Sequence, residues 1–157
     1  QLLKAVKPMA DFIILDLPHL WAPWISDGLA AADEVILVGK PDLTNLRNAK
    51  SMVEFIGPKR GVDAPTRLVL NQVGASKKSE LSDKEFKEAV AITPAAMIPY
   101  DADLFGRSQN NGELLSVVSN KSKTVATIIE LAEVIGGENV QEEEKKSFFS
   151  RLKKSNK

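Results

Sequence analysis

Glu34–Pro58 reads EVILVGKPDLTNLRNAKSMVEFIGP and holds one complete strand–helix unit. Glu34–Gly39 is a short run of Val, Ile and Leu without polar alternation, the pattern of a strand buried on both faces of a parallel sheet. Leu43–Ile56 then sets Leu46, Ala49, Val53 and Ile56 on one helical face. Asp42 or Thr44 serves as N-cap, and Gly57-Pro58 stops the helix.

The same alternation continues in both directions. Phe12–Leu17, Arg67–Asn71 and Ala96–Pro99 are three more apolar runs that predict buried strands. Ser82-Asp83-Lys84-Glu85 has the form of a capping box opening a helix through about Ala91. Val125, Ile128, Ile129, Ala132 and Ile135 form a helical stripe ended by Gly136-Gly137. Strands alternating with helices, joined by connections long enough for crossovers, predict an α/β layered sheet with right-handed crossovers. Ligands of such sheets gather at the carboxyl ends of the strands. There is no internal repeat, and no linker before about Gly136. The expected division is a body over residues 1–137 and a charged, possible amphipathic tail over 138–157.

Composition narrows the chemistry. The absence of cysteine excludes disulfides and thiolate catalysis, and fits a cytoplasmic protein. A single histidine, His19, leaves no histidine metal cluster and no Ser-His-Asp triad. Catalysis would fall to carboxylates, backbone amides, lysines or a bound metal. No apolar run approaches the roughly 18 residues of a membrane span. The formal charge of zero is unevenly divided. Lys145–Lys157 carries six basic residues and no acidic ones, which leaves the first 144 residues with a net charge of −6. An acidic body argues against nucleic acid as the partner.

Candidate site residues stand at the predicted strand ends. Asp16 closes the first run and Pro18 fixes the chain's exit from it. One aspartate suffices for Mg²⁺ when waters and a phosphate supply the other ligands, but Asp16 also reads as an ordinary strand-terminating residue. His19, Trp21 and Trp24 follow, as loop packing or a partner contact. Asn71 offers a donor and an acceptor together, which suits a base edge, while Asn71 and Gly74 equally suit turn chemistry. Ile98-Pro99-Tyr100-Asp101 turns the backbone away from the sheet. Arg47 and Lys50 share one exposed helix edge, read as a solvated face. The tail KKSFFSRLKKSNK, as a helix, groups Phe148, Phe149 and Leu152 beside Lys145, Lys146, Arg151, Lys153 and Lys154. That is the composition of a short interfacial anchor for anionic lipid, or of a disordered charged tail.

In order and spacing, FIILDLP, ADEVILVGKPDLTNLRNAK, LVLNQVG and IPYDADLFGRSQNNGELL resemble the carboxyl-terminal portion of a MinD/ParA-type deviant-Walker ATPase. The resemblance runs from about Ala10 to Ile135 and is nearest to the CpaE/TadZ branch, which serves Flp (tight-adherence) pilus assembly. It implies an incomplete three-layer α/β parallel sheet of the P-loop NTPase (SIMIBI) type. It also implies ATP or ADP with Mg²⁺ as cofactors of the intact protein, and none bound by this chain alone. Asp16 matches the Walker B aspartate, which holds Mg²⁺ through water. Asn71 matches the adenine-contacting asparagine, and Pro99 with Asp101 the segment flanking the base. Asn110-Asn111-Gly112 match a stretch near the nucleotide. The tail resembles the membrane-targeting helix of MinD, with Phe148, Phe149, Leu152 and Lys153 as membrane contacts at the inner face of the plasma membrane.

The departures are equally specific. Nothing in these residues matches the deviant P-loop, and no catalytic residue of the family is matched. Asp16-Leu17-Pro18-His19-Leu20 replaces the family's Asp-x-Pro-Ala-Gly. The resemblance implies a homodimer that engages pilus or secretion machinery and an anionic membrane, not nucleic acid. The alternatives are a non-enzymatic localisation scaffold with a degenerate nucleotide site, and a ParA-like segregation or flagellar-positioning ATPase. An open apolar edge at Phe12–Leu17 is expected to pair with itself or to borrow a strand.

Overall fold

A computed structural model describes residues 2–18, 20, 22–61, 64–76 and 78–136. Two helices, α1 (Leu2–Val6) and α2 (Pro23–Ala31), precede the first strand, β1 (Val35–Gly39). Helix α3 (Leu43–Ile56) leads to β2 (Thr66–Val73), and α4 (Asp83–Val90) leads to β3 (Ala96–Pro99). Helices α5 (Ala102–Asn111), α6 (Leu115–Val118) and α7 (Lys123–Gly136) follow.

The strands form one parallel sheet in the order β1-β2-β3, with Val35 beside Thr66 and Gly39 beside Leu70 at the two ends of the first pairing. Successive right-handed crossovers in one direction put their helices on one face. Helices α3 and α4 do pack together, and Ala49, Leu68, Leu70, Phe86 and Val90 form a core between them and the sheet. Val69, between two leucines of that core, is itself only 1% exposed, so both faces of β2 are covered. Helix α7 packs against β3 and contributes the buried Thr124 and Val125. The result is a three-layer α/β arrangement around three parallel strands.

Local chemistry sets the helix ends where the sequence puts them. Asp42 Oδ1 accepts the N–H of Asn45 at 2.8 Å and caps α3. Ser82 and Glu85 complete their capping box reciprocally at the start of α4. Ala91 takes the left-handed conformation, φ 59°, to end that helix.

Three expectations are corrected. Phe12–Leu17 is not a strand: among the described residues it joins no ladder, Ile14 is 92% exposed, and Leu17 lies beside Gly28 of α2. Apolar content marks a segment as worth burying, but a strand exists only through a neighbour that supplies main-chain partners. Trp24 is not in a loop; it lies in the first turn of α2, which starts with Pro23 in the position where a missing N–H costs nothing. In the α7 stripe Val125 is buried, but Ala132 is exposed. The tail expectation, including Phe148, Phe149, Leu152 and Lys153, lies outside the described residues, as do His19 and Trp21.

Candidate nucleotide rim

Because the three strands are parallel, their carboxyl ends share one rim. The rim carries Lys40–Asp42 after β1, Asn71–Gly74 at the end of β2, and Pro99–Asp101 at the end of β3. Main-chain bonds tie these ends together. Tyr100 donates its N–H to Val73 O at 2.8 Å, and Leu81 donates to Pro41 O at 2.8 Å. The pairing of β2 with β3 is irregular between Leu70 and Val73, where Gln72 has φ 59°. A β-branched or bulky residue would be strained there.

That irregularity decides what Asn71 can do. Its Oδ1 accepts the N–H of Gln72 at 2.8 Å, so the side chain supports the bulge. Among the described residues its amide nitrogen has no protein partner, which leaves two donors for a ligand. Asp101 is also committed: Oδ1 accepts the N–H of Leu104 at 3.0 Å and caps α5. Pro99 ends β3 without an N–H to offer. The structure therefore brings Asn71, Pro99 and Asp101 to one rim, with Asn71 as the available hydrogen-bonding group. Asn110 and Asn111 lie at the far end of α5, roughly 13–15 Å along its axis from Asp101.

Asp16 is exposed on the unladdered segment, and among the described residues it has no ion pair or hydrogen bond. No group of three or more acidic, histidine or cysteine side chains converges there or elsewhere among the described residues. The carboxylate is free to accept a metal-bound water, which fits Mg²⁺ only when other ligands come from phosphate and solvent. Neighbours for the donor set are not built by the three strands.

Two carboxylates brace the rim, and their contribution was not visible in the motif reading. The backbone N–H of Asn45, then its side-chain amide, holds the Asp42 carboxyl below the usual range. Glu80 reaches back across the β2–α4 loop and accepts from Ser76 N–H at 2.8 Å and Gly74 N–H at 2.9 Å, which lowers its pKa too. The signal was available: a glutamate six residues after Gly74, with Ser76 between, can close such a loop. Glu85 is lowered by the Ser82 N–H and hydroxyl, and Glu34 chiefly by its hydrogen bond from the Arg67 guanidinium.

These shifts fix a pH dependence. A carboxylate whose folded pKa is depressed stabilises the fold above its unfolded pKa, and that stability is lost as pH falls through the folded value. All four shifts have the same sign. The melting temperature is expected to be flat above about pH 5 and to fall progressively below about pH 4. Asp42→Asn should shallow the acid limb of a melting-temperature profile; an unchanged limb would separate Asp42 from it.

The comparisons agree with this architecture. No family model matches the chain. It is 28% identical over 155 residues to the septum site-determining protein MinD of Buchnera aphidicola, covering 90% of this chain and 57% of that protein. The structure matches that of MinD from Pyrococcus horikoshii complexed with Mg-ADP at a TM-score of 0.70 and 21% identity, over 85% of this chain and 53% of the other. It matches a ParA family ATPase from Chlorobium tepidum at 0.73 and 22% identity, over 83% and 54%. The chain spans 57–59% of the length of the curated relatives it matches. It is thus similar in sequence to MinD proteins and carries part of the α/β fold seen in the solved MinD and ParA family structures.

Proposed function

We propose that these residues form the adenine side of a MinD/ParA-like nucleotide site, in a protein that positions pilus-assembly machinery. The observation that carries the nucleotide reading is the shared rim, where Asn71 keeps a free amide between the β1 and β3 exits. Asn71 would donate to a base nitrogen, while Pro99 and the capped start of α5 would flank the ring. Asp101 acts through the backbone it holds. Asp16 would meet Mg²⁺ through water; the ion, when bound, offsets phosphate charge. MinD of Pyrococcus horikoshii was solved with Mg-ADP, which supports this class of ligand.

The pilus assignment is finer and rests on Asp16-Leu17-Pro18-His19-Leu20, the replacement that resembles the CpaE/TadZ branch. In this reading the protein dimerises with nucleotide, and Phe148, Phe149, Leu152 and Lys153 hold the tail on an anionic inner-membrane surface. The reading as a localisation scaffold draws on Asp16, which stands on a segment that no strand anchors.

Titration of the ¹⁵N-labelled chain with Mg-ADP tests the site. The expected result is weak binding, with amide shifts clustered at Asn71–Gly74 and Tyr100–Asp101 and lost in Asn71→Ala. Shifts centred elsewhere, or no shifts at saturating nucleotide, would overturn the rim as the binding surface. Retention of the shifts in Asn71→Ala would remove Asn71 from it.

A further inference from the structure

Helix α5 ends in Asn110-Asn111-Gly112-Glu113, a stretch that the nucleotide rim does not use. Asn111 is the last helical residue, and Gly112 takes the left-handed conformation, φ 67°, that lets the chain leave the helix. Main-chain bonds close this turn. Gly112 donates its N–H to Gln109 O at 3.4 Å, and Glu113 donates to Ser108 O at 3.0 Å, the two bonds of a Schellman motif. The Ser108 hydroxyl also donates to Glu113 O, and Asn111 Nδ2 donates to Glu113 Oε2 at 3.2 Å.

Asn111-Gly112 is also a reactive pair. The main-chain nitrogen of Gly112 can attack Cγ of Asn111, closing a five-membered ring and giving its proton to water. The Cγ–Nδ2 bond then breaks and Nδ2 leaves as ammonia. Water opens the resulting succinimide at either carbonyl, giving aspartate or isoaspartate with no oxidant and no cofactor. A side chain on the following residue hinders ring closure, and Asn111 is the only asparagine in the sequence followed by glycine. Among the described residues, no atom beyond the chain neighbours lies within 4 Å of where a Cβ of Gly112 would stand. Residues 110–114 are all exposed, so water reaches the pair.

We propose that Asn111 is a modification site, deamidating spontaneously through Gly112 at a rate set by opening of the α5 C-terminal turn. In the closed turn a carbonyl engages the Gly112 N–H and Glu113 engages the Asn111 amide, so neither group is free for ring closure. An exposed helix end opens readily, which makes the turn a gate and not a block. The product holds the gate open. Aspartate at this position sets a carboxylate against Glu113 and adds negative charge at the negative end of the helix dipole. Isoaspartate routes the main chain through an extra methylene, which breaks the spacing that the two Schellman bonds need. Modification therefore loosens the packing of α5 on α6 and leaves the Asp101 cap, at the other end of α5, in place.

Ageing of the folded 157-residue chain at neutral and mildly alkaline pH, read by peptide mapping and by enzymatic methylation of isoaspartate, tests this. Asn111 should convert before every other asparagine and yield both aspartate and isoaspartate. Conversion should be faster at the higher pH, because the Gly112 nitrogen must lose its proton. A synthetic peptide of residues 106–117, which has no packed turn to open, should convert about tenfold faster than the chain or more. Ser108→Ala removes one bond to Glu113 and should move the chain's rate toward that of the peptide, while Asn111→Gln should stay intact over the same period. Circular dichroism checks that both variants are folded, and the comparison of wild type with peptide stands without them. Earlier conversion of another asparagine, or aspartate without isoaspartate, would overturn the proposal. Equal rates in chain and peptide, or a folded Ser108→Ala no faster than wild type, would overturn it too.

Discussion

Phe86→Ala is expected to cost about 3–5 kcal/mol of stability, the largest effect of any single truncation among the described residues. Phe86 is fully buried on the inner face of α4. It meets Leu68 and Leu70 of the sheet, Ala49 of α3 and Val90 of its own helix, with Leu46, Val53 and Leu81 around them. Truncation removes the transfer energy of an aromatic ring and leaves a cavity at the junction of sheet and both helices. The capping box of Ser82 and Glu85 cannot compensate, because a cap sets where α4 starts and contributes only about 0.5–2 kcal/mol. For a chain of this size the melting temperature should drop by roughly 6–20 °C. Urea unfolding checks it, with Leu114→Ala as the control. Leu114 is 73% exposed, so that change should stay within about 0.5 kcal/mol. A Phe86→Ala loss below about 1 kcal/mol would mean that α4 does not dock as described.

The contrast between α3 and Phe12–Leu17 shows what a sequence can disclose. The start of α3 is readable because its determinants lie within four residues: Asp42 caps Asn45, and Asn45 in turn donates to both carboxylate oxygens of Asp42. The apolar face of the helix is readable for the same reason. Phe12–Leu17 has an equally strong strand composition, yet pairing is a non-local property and no neighbour among the described residues supplies it. Helix α2 was legible in principle. Pro23 in the first turn and Ile25 with Leu29 four residues on make a helical start, which the aromatic residues nearby obscured.

The rim shows the same limit at the level of single atoms. Asn71 and Asp101 could be found as polar residues at strand exits, because composition and spacing place them there. Which of their atoms remain available could not, since that depends on the turn each residue supports. In the bulge where Gln72 has φ 59°, its N–H donates to Asn71 Oδ1, and the start of α5 engages Asp101. A motif residue can thus be correctly placed and still be half occupied by its own backbone. Glu80, which no motif pointed to, closes the loop beside them.

Arg60→Ala is expected to destabilise the fold by about 2–3 kcal/mol, although Arg60 belongs to no helix or strand. Its guanidinium donates to five carbonyls: Leu29, Ala32 and Asp33 at and beyond the end of α2, and Ala64 and Pro65 before β2. The group thus joins two connections that run side by side, one into β1 and one into β2. Two of these carbonyls, Leu29 and Ala32, belong to the end of α2, where no intrahelical donor remains, and the positive charge suits the negative end of the helix dipole. Alanine would leave the acceptors to water where they are exposed and unpaired where they are not, so the loss is smaller than five full hydrogen bonds. Arg60→Lys should recover only a minor part, because an ammonium cannot reach both connections with a planar fork. Both variants can be compared with wild type by urea unfolding, and amide exchange adds the location. Opening should appear first at β1 and the end of α2, while the Phe86 core stays protected. A uniform loss of protection, or full rescue by lysine, would show that charge rather than the five-way geometry holds these connections together.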